Sequence, residues 1–184
     1  EVVQVNARGR DGQRDALRQV SLQVIAKEIV GLVGPSGSGK TTLLQVLLGL
    51  TPNDDGKVRI DEVTGAHKRP KFLYSVGYVP EKRVCPPDFT PRNLIEFRGS
   101  LTGLAEHAAR SRAQDLLARH DLTELADVPL DDLDADAVEA AHLLASVVNR
   151  PKVWLVDTPR AIPVFTALVQ DARDKERAVV LCTR

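Results

Sequence analysis

Apolar residues in this chain fall into short runs of two kinds, alternating and continuous. Val20-Ser21-Leu22-Gln23-Val24 alternates apolar and polar positions, the pattern of a half-buried strand. Ile29-Val30-Gly31-Leu32-Val33 is continuous, and predicts a strand of a parallel sheet buried under helices on both faces. Tyr74-Ser75-Val76-Gly77-Tyr78-Val79, ended by Pro80, predicts a further strand, as do Val153-Trp154-Leu155-Val156 and Ala178-Val179-Val180-Leu181-Cys182. Val58-Arg59-Ile60 reads as a short strand at a sheet edge. Polar, Gly-containing stretches over residues 7–15 and 49–56 read as turns, and residues 65–71 as a basic exposed loop.

Helical spacing appears elsewhere. Leu43 to Leu48 is an apolar helix start, and Leu94, Ile95, Phe97 and Leu101 mark another helix. Residues 105–120 are rich in Ala and Arg, strong helix formers. Residues 134–149 place Val138, Ala141, Leu144, Ala145 and Val148 on one face, with Asp134 as N-cap. Val164, Leu168 and Ala172 mark a helix over 161–174. The order predicts one α/β domain over 1–184, its core at about 1–82 and 150–184, interrupted by a helical insertion at about 83–149.

Between the continuous strand and its helix lies Gly34-Pro35-Ser36-Gly37-Ser38-Gly39-Lys40-Thr41-Thr42, which fits G-x-x-x-x-G-K-[ST]. Glycines let successive backbone N–H groups converge on phosphate oxygens. Lys40 supplies a mobile positive charge for the outer phosphates, and the Thr41 hydroxyl is a Mg²⁺ ligand. The strand–loop–helix setting aims a helix N-terminus at the anion. Downstream, Asp157 ends an apolar strand, and paired with this loop it predicts a carboxylate beside the strand of the loop, aimed at Mg²⁺.

Composition narrows the partners. Lys plus Arg and Asp plus Glu both number 25 in 184 residues, so no net positive field points to nucleic acid. Cys85 and Cys182 form no C-x-x-C pair and predict free thiols of a reducing compartment. His67, His107, His120 and His142 lack metal-ligand spacing, and surface or helix positions account for them. Trp154 is expected in the core. No run approaches 18 apolar residues and no signal peptide opens the chain, so a soluble, cytoplasmic protein is expected. The chain starts without Met and stops at Arg184 after a strand-like run, the expectation being a piece of a longer protein.

These parts, in this order, resemble the ATP-binding cassette (ABC) domain of ABC transporters. The likeness is carried by residues 29–44, by Thr90-Pro91-Arg92-Asn93-Leu94, and by Arg150-Pro151-Lys152 leading into Val153 to Asp157. It implies a P-loop NTPase fold: a RecA-like, mostly parallel sheet flanked by helices, with a helical subdomain and an N-terminal antiparallel β portion. It also implies ATP and Mg²⁺ as ligands, a membrane-spanning partner domain or subunit, and a location at the inner face of the cell membrane. A second ATP-binding domain would close head to tail over each nucleotide.

Departures from the family pattern are informative. Thr158 stands where the family has the water-polarising glutamate, and its hydroxyl is no base near neutral pH. Arg184 stands at the switch histidine and cannot shuttle a proton. Glu81 replaces the glutamine that approaches Mg²⁺ through water. No aromatic residue lies near Asp11 and Gly12 to stack on adenine, and Arg160-Ala161-Ile162-Pro163 lacks the family's loop pattern. The signature Leu-Ser-Gly-Gly-Gln falls on Leu133-Asp134-Ala135-Asp136-Ala137, preceded by Asp131 and Asp132. Carboxylates there suit a helix N-terminus but repel a partner's triphosphate. Like charges about 4 Å apart cost on the order of 4 kcal/mol at an effective dielectric near 20, above the roughly 0.3–1 kcal/mol of a helix terminus.

The expectation is a degenerate module that binds nucleoside triphosphate with Mg²⁺ and hydrolyses it slowly or not at all. One alternative is a working transporter ATPase with Glu81 as base. Another is an interaction domain with a relic loop.

Overall fold

The computed structural model describes residues 3–8, 15–51, 55–56, 58–60, 63–64, 74–86 and 88–184. Asp11 and Gly12, the middle of the 49–56 turn and the basic loop at 65–71 lie outside the described residues. The chain opens with β1 (Val3–Arg8) and β2 (Asp15–Leu22), then enters β3 (Ile29–Val33) and α1 (Lys40–Leu47). Three two-residue strands follow, β4 (Asp55–Gly56), β5 (Arg59–Ile60) and β6 (Val63–Thr64), before β7 (Val76–Val79). Three helices come next: α2 (Pro91–Leu101), α3 (Glu106–Arg119) and α4 (Ala135–Val147). The chain closes with β8 (Val153–Asp157), α5 (Pro163–Asp174) and β9 (Ala178–Thr183).

β3, β9, β8 and β7 form one parallel sheet in that order, with Ile29 opposite Val179, Val153 opposite Ala178 and Val76 opposite Val153. Side chains alternate across it, as pleating requires. Trp154, Val156 and Val179 pack into the larger core with α2, α4 and α5, while Leu155, Val180 and Cys182 pack with Leu44 and Leu48 around α1. β1 pairs antiparallel with both β2 and β4, the expected antiparallel portion, and Leu17 of β2 packs on Leu43 and Val46 of α1. The fold is α/β, a mostly parallel sheet flanked by helices.

Two expectations about strands need correction. β3 is not buried on both faces: Ile29 is 40% and Val33 73% exposed. Among the described residues β3 pairs only with β9 within its sheet, and only its Leu32 side reaches the cores around α1. β8 does not lie beside β3, because β9 is inserted between them. Arg59–Ile60 is a short edge strand as expected, paired with Val63–Thr64 in its own two-stranded ladder and not in the parallel sheet.

Local chemistry explains the helix starts. Thr90 Oγ1 accepts from the Asn93 amide at 3.2 Å while Asn93 Oδ1 accepts from the Thr90 amide at 3.3 Å, a reciprocal cap ahead of Pro91 at the first helical position. Asp134 Oδ1 caps α4 by accepting from the Asp136 and Ala137 amides, as its sequence position predicts. Gly77 is required by close packing: a Cβ there would collide with the Ser146 carbonyl and the Pro151 ring. Ser146 in turn accepts from the buried Trp154 Nε1 at 2.8 Å. Leu94, Ile95, Phe97 and Leu101 lie on α2 as expected; Leu94 and Ile95 bury that helix, while Phe97 and Leu101 are 48% and 56% exposed.

Candidate functional site

The turn from β3 into α1 builds a concave loop from residues with little steric bulk. Gly37 and Gly39 have φ near +80° and +89°, a region closed to most side chains. Gly39 is the N-cap of α1 and offers no side-chain cap, so the first amides of the helix point into the loop unclaimed by a cap. Lys40 Nζ donates to the carbonyls of Gly34 at 2.7 Å and Pro35 at 2.8 Å, and reaches Ser38 Oγ at 3.2 Å. The ammonium is thereby held over the loop rather than loose in solvent.

A cleft of about 220 Å³ opens beside this loop. It is lined by Ser36, Gly37, Gly39, Lys40, Thr41 and Thr42 on one side, and by Glu81, Asp157, Thr158 and Arg184 on the other. Sequence positions separated by more than a hundred residues therefore converge, because β3, β9, β8 and β7 are parallel and all end at the same rim. Of the predicted site residues, Gly34, Pro35 and Ser38 do not line the cleft but shape the loop and hold Lys40.

Asp157 is 1% exposed, and its Oδ2 is buried without a hydrogen-bond partner among the described residues. Thr158 Oγ1 donates to Asp157 Oδ1 at 3.3 Å. The Asp157 charge is felt around it. Burial first, and Asp157 second, push the Tyr78 hydroxyl and the Cys182 thiol each up to about 12. Thr158 sits at φ +49°, rare for a β-branched residue, with its amide donating to the Cys182 carbonyl at 2.9 Å. Across the rim, an Arg184 nitrogen lies 3.4 Å from Glu81 Oε1, an exposed and weak pairing.

The donor set fits a hard divalent cation. Mg²⁺ takes oxygen ligands, a hydroxyl and one or two carboxylates completed by water and phosphate oxygens. Thr41, the unpartnered Asp157 oxygen and Glu81 lining one cleft supply that chemistry.

One feature of the site was missed from sequence. Arg83, in the segment after β7, sends Nε and Nη2 to the two oxygens of Glu139 on α4, at 2.8 and 2.7 Å. The pair is nearly buried, with side chains 12% and 4% exposed. Glu139 Oε1 also accepts from the Arg160 amide at 3.3 Å, and Arg160 forms an ion pair with Asp136 at 2.6 Å. Three segments are tied together here: that after β7, the start of α4 and that after β8. The available signal was a carboxylate set among Ala137, Ala140 and Ala141, on the buried side of α4.

The same contacts modify the expected repulsion at α4. Asp134 is spent on capping and Asp136 on Arg160. All four aspartates are exposed. His142 departs from the expected surface or helix position only in part: it lies on α4 but is half-buried, its Nε2 without a partner among the described residues.

Comparison with known proteins gives the loop and its partners a family context. A family model described as ABC transporter matches residues 17–161. The chain belongs to this family. The lipoprotein-releasing system ATP-binding protein LolD of Bacteroides thetaiotaomicron is 31% identical over 153 residues, covering 80% of this chain and 70% of LolD. The Nod factor export ATP-binding protein I of Burkholderia lata is 34% identical over 155 residues, 84% of this chain and 51% of that one. The chain thus spans only about half the length of some relatives. A solved dimeric ATP-binding cassette in a post-hydrolysis state, bound to ADP and Pi, superposes over the whole chain with a TM-score of 0.86 at 21% identity. That likeness supports the ABC fold. Proteins of this family bind ATP, generally with Mg²⁺. Among the described residues no helix is long and apolar enough to cross a membrane.

Proposed function

We propose that this chain is a degenerate ABC ATP-binding module. It grips nucleoside triphosphate with Mg²⁺, hydrolyses it slowly or not at all, and serves as a regulatory or structural part of a membrane transport system. The observation that carries the reading is Thr158: at the end of β8, beside buried Asp157, the position suited to a base holds a hydroxyl turned onto Asp157 itself. A hydroxyl with a pKa far above neutrality takes no proton from water.

In this reading the Gly37 to Thr42 amides and Lys40 hold the phosphates, and Thr41 and Asp157 hold Mg²⁺, with Glu81 acting through water. The cation neutralises phosphate charge. Lys40 exchanges at least one loop carbonyl for a phosphate oxygen. Arg184, exposed on the rim, adds charge toward the outer phosphate without moving a proton. Residues 1–82 and 150–184 form the nucleotide-binding core and residues 83–149 a helical subdomain. The partners are a membrane-spanning domain or subunit and a second ATP-binding domain, at the cytoplasmic face of the membrane; no nucleic acid is involved.

Mg²⁺–ATP binding by calorimetry, followed by single-turnover hydrolysis, tests the reading. Binding with turnover far below about 1 per second is expected; a rate at or above that scale, typical of working enzymes, rejects it. A second reading rests on Glu81, the other carboxylate lining the cleft among the described residues. If Glu81 is a base, Glu81→Gln abolishes turnover; unchanged turnover removes that reading.

A further inference from the structure

A second cleft, of about 290 Å³, lies at the opposite rim of the sheet. Its walls are α3, the turn between α4 and β8, and α5 with the turn into β9. Arg150 precedes β8 and Arg177 directly precedes β9, whereas Asp157 and Arg184 lie at or beyond the far ends of the same strands. At roughly 3.3 Å per residue, the two clefts stand about a strand length apart, on the order of 15 Å.

The charge in this cleft is unbalanced. Among the described residues five cations line it, Arg112, Arg119, Arg150, Lys175 and Arg177, against two carboxylates, Asp115 and Asp171. His120 adds no charge near neutrality, since burial first and Arg119 second hold its imidazole below the usual range. Five minus two leaves three positive charges. Both carboxylates are already committed. Asp171 takes Lys175 at 2.6 Å and Arg177 at 3.4 Å, and Asp115 stands 4.0 Å from Arg119. Arg112 donates from Nη1 to the Val148 carbonyl at 2.9 Å and has no carboxylate partner among the described residues. The Arg150 side chain has no hydrogen bond or ion pair among the described residues; its backbone amide donates to the Val147 carbonyl at 2.9 Å and its φ is +55°.

These are not scattered surface cations. The Arg177 side chain is only 8% exposed, so its guanidinium is held at the cleft and not in bulk water. Arg150 is close enough to lower the pKa of both Arg112 and Arg177, each already lowered chiefly by burial. A fold that holds three arginines from three elements around one hollow bears a repulsion that a bound anion offsets. Arginine forks favour carboxylate and phosphate alike. Convergence from three directions suits the tetrahedral group, whose oxygens diverge, better than a planar carboxylate served by one fork.

We propose that the cleft bounded by Arg112, Arg150 and Arg177 is a second anion site, which takes a small soluble phosphate or diphosphate group independently of the nucleotide loop. Inorganic pyrophosphate is the probe, titrated calorimetrically into the full chain carrying Lys40→Ala so that the loop at α1 is weakened. The expected result is saturable binding, weakened about tenfold by Arg150→Asn and again by Arg112→Gln. Arg150→Asn keeps a residue that tolerates positive φ and removes no side-chain hydrogen bond or ion pair among the described residues, and an unchanged melting temperature controls for folding. Absence of saturable heat at millimolar pyrophosphate, or binding unchanged by Arg150→Asn, overturns the site. Cosedimentation with phosphatidylglycerol vesicles, lost in Arg150→Asn, together with no pyrophosphate binding, would assign the cluster to a membrane surface and equally overturn it. Failure of ATP to bind at the loop leaves this outcome untouched, because the loop is weakened in the test and Arg150 lies at the far rim, outside it.

Discussion

Arg83 and Glu139, 56 residues apart, meet in a two-pronged ion pair that joins the segment after β7 to helix α4, at 2.8 and 2.7 Å. Arg83 also reaches the Asp157 carbonyl at 3.5 Å, so the pair sits directly behind the carboxylate proposed for Mg²⁺. A buried pair is worth little over a well-packed apolar substitute, but removing one partner strands the other's charge. Glu139→Ala is therefore expected to lower stability by about 3–5 kcal/mol in urea denaturation. The double variant Arg83→Met, Glu139→Leu should lose markedly less than the single one. Equal losses in both would show that the pair is not coupled.

Lys40 is held by two carbonyls and a hydroxyl within its own loop. Lys40→Ala removes a charged donor from the phosphates, and charge-assisted hydrogen bonds contribute roughly 1.5–3 kcal/mol. ATP affinity, followed by calorimetry, should fall about 10- to 100-fold with thermal stability nearly unchanged.

Thr158→Glu places a carboxylate where the proposed function lacks one. Single-turnover hydrolysis should then rise by about tenfold or more, within the usual range for a positioned general base. No rise would mean that the surrounding contacts, and not Thr158, limit turnover. The substitution keeps a side chain at φ +49°, so stability is the control measurement.

His142 carries the pH dependence. Burial first, then Arg83 and Arg98 against the opposing pull of Glu139, hold its imidazole down to about 4. The unfolded chain accepts that proton near pH 6.5, so the folded state loses stability as pH falls from about 6.5 toward 4. Above 6.5 the contribution is complete. With a discount for the ring's remaining contact with water, the loss is about 2 kcal/mol, and His142→Gln should flatten that part of the pH–stability curve.

Cys182 should be inert to thiol reagents in the folded chain. Its thiol is fully buried and pushed up to about 12, chiefly by burial and then by Asp157. Cys85 is partly exposed and should label first. Labelling of Cys182 at the rate seen in urea would mean that β9 opens locally.

The sequence by itself determined the loop and most of the elements, because these depend on neighbours along the chain; β4, inside a stretch read as a turn, and β6 were not legible. The apolar run Val153 to Val156, the Asp134 cap, and the glycines at 37 and 39 are local instructions that survive any tertiary arrangement. Thr158, Glu81 and Arg184 were legible as departures because each is counted from a nearby motif. Strand order was not legible, since a parallel sheet takes its neighbours through long crossovers, and only packing put β9 between β3 and β8. The same holds for the exposure of β3, which depends on what covers it. Tertiary structure also decided the partners of Arg83, Glu139, Arg160 and the arginine cleft. Charges far apart in sequence carry no mark of their pairing; burial alone forces them to find one another, or leaves them, as at Arg150, unpaired.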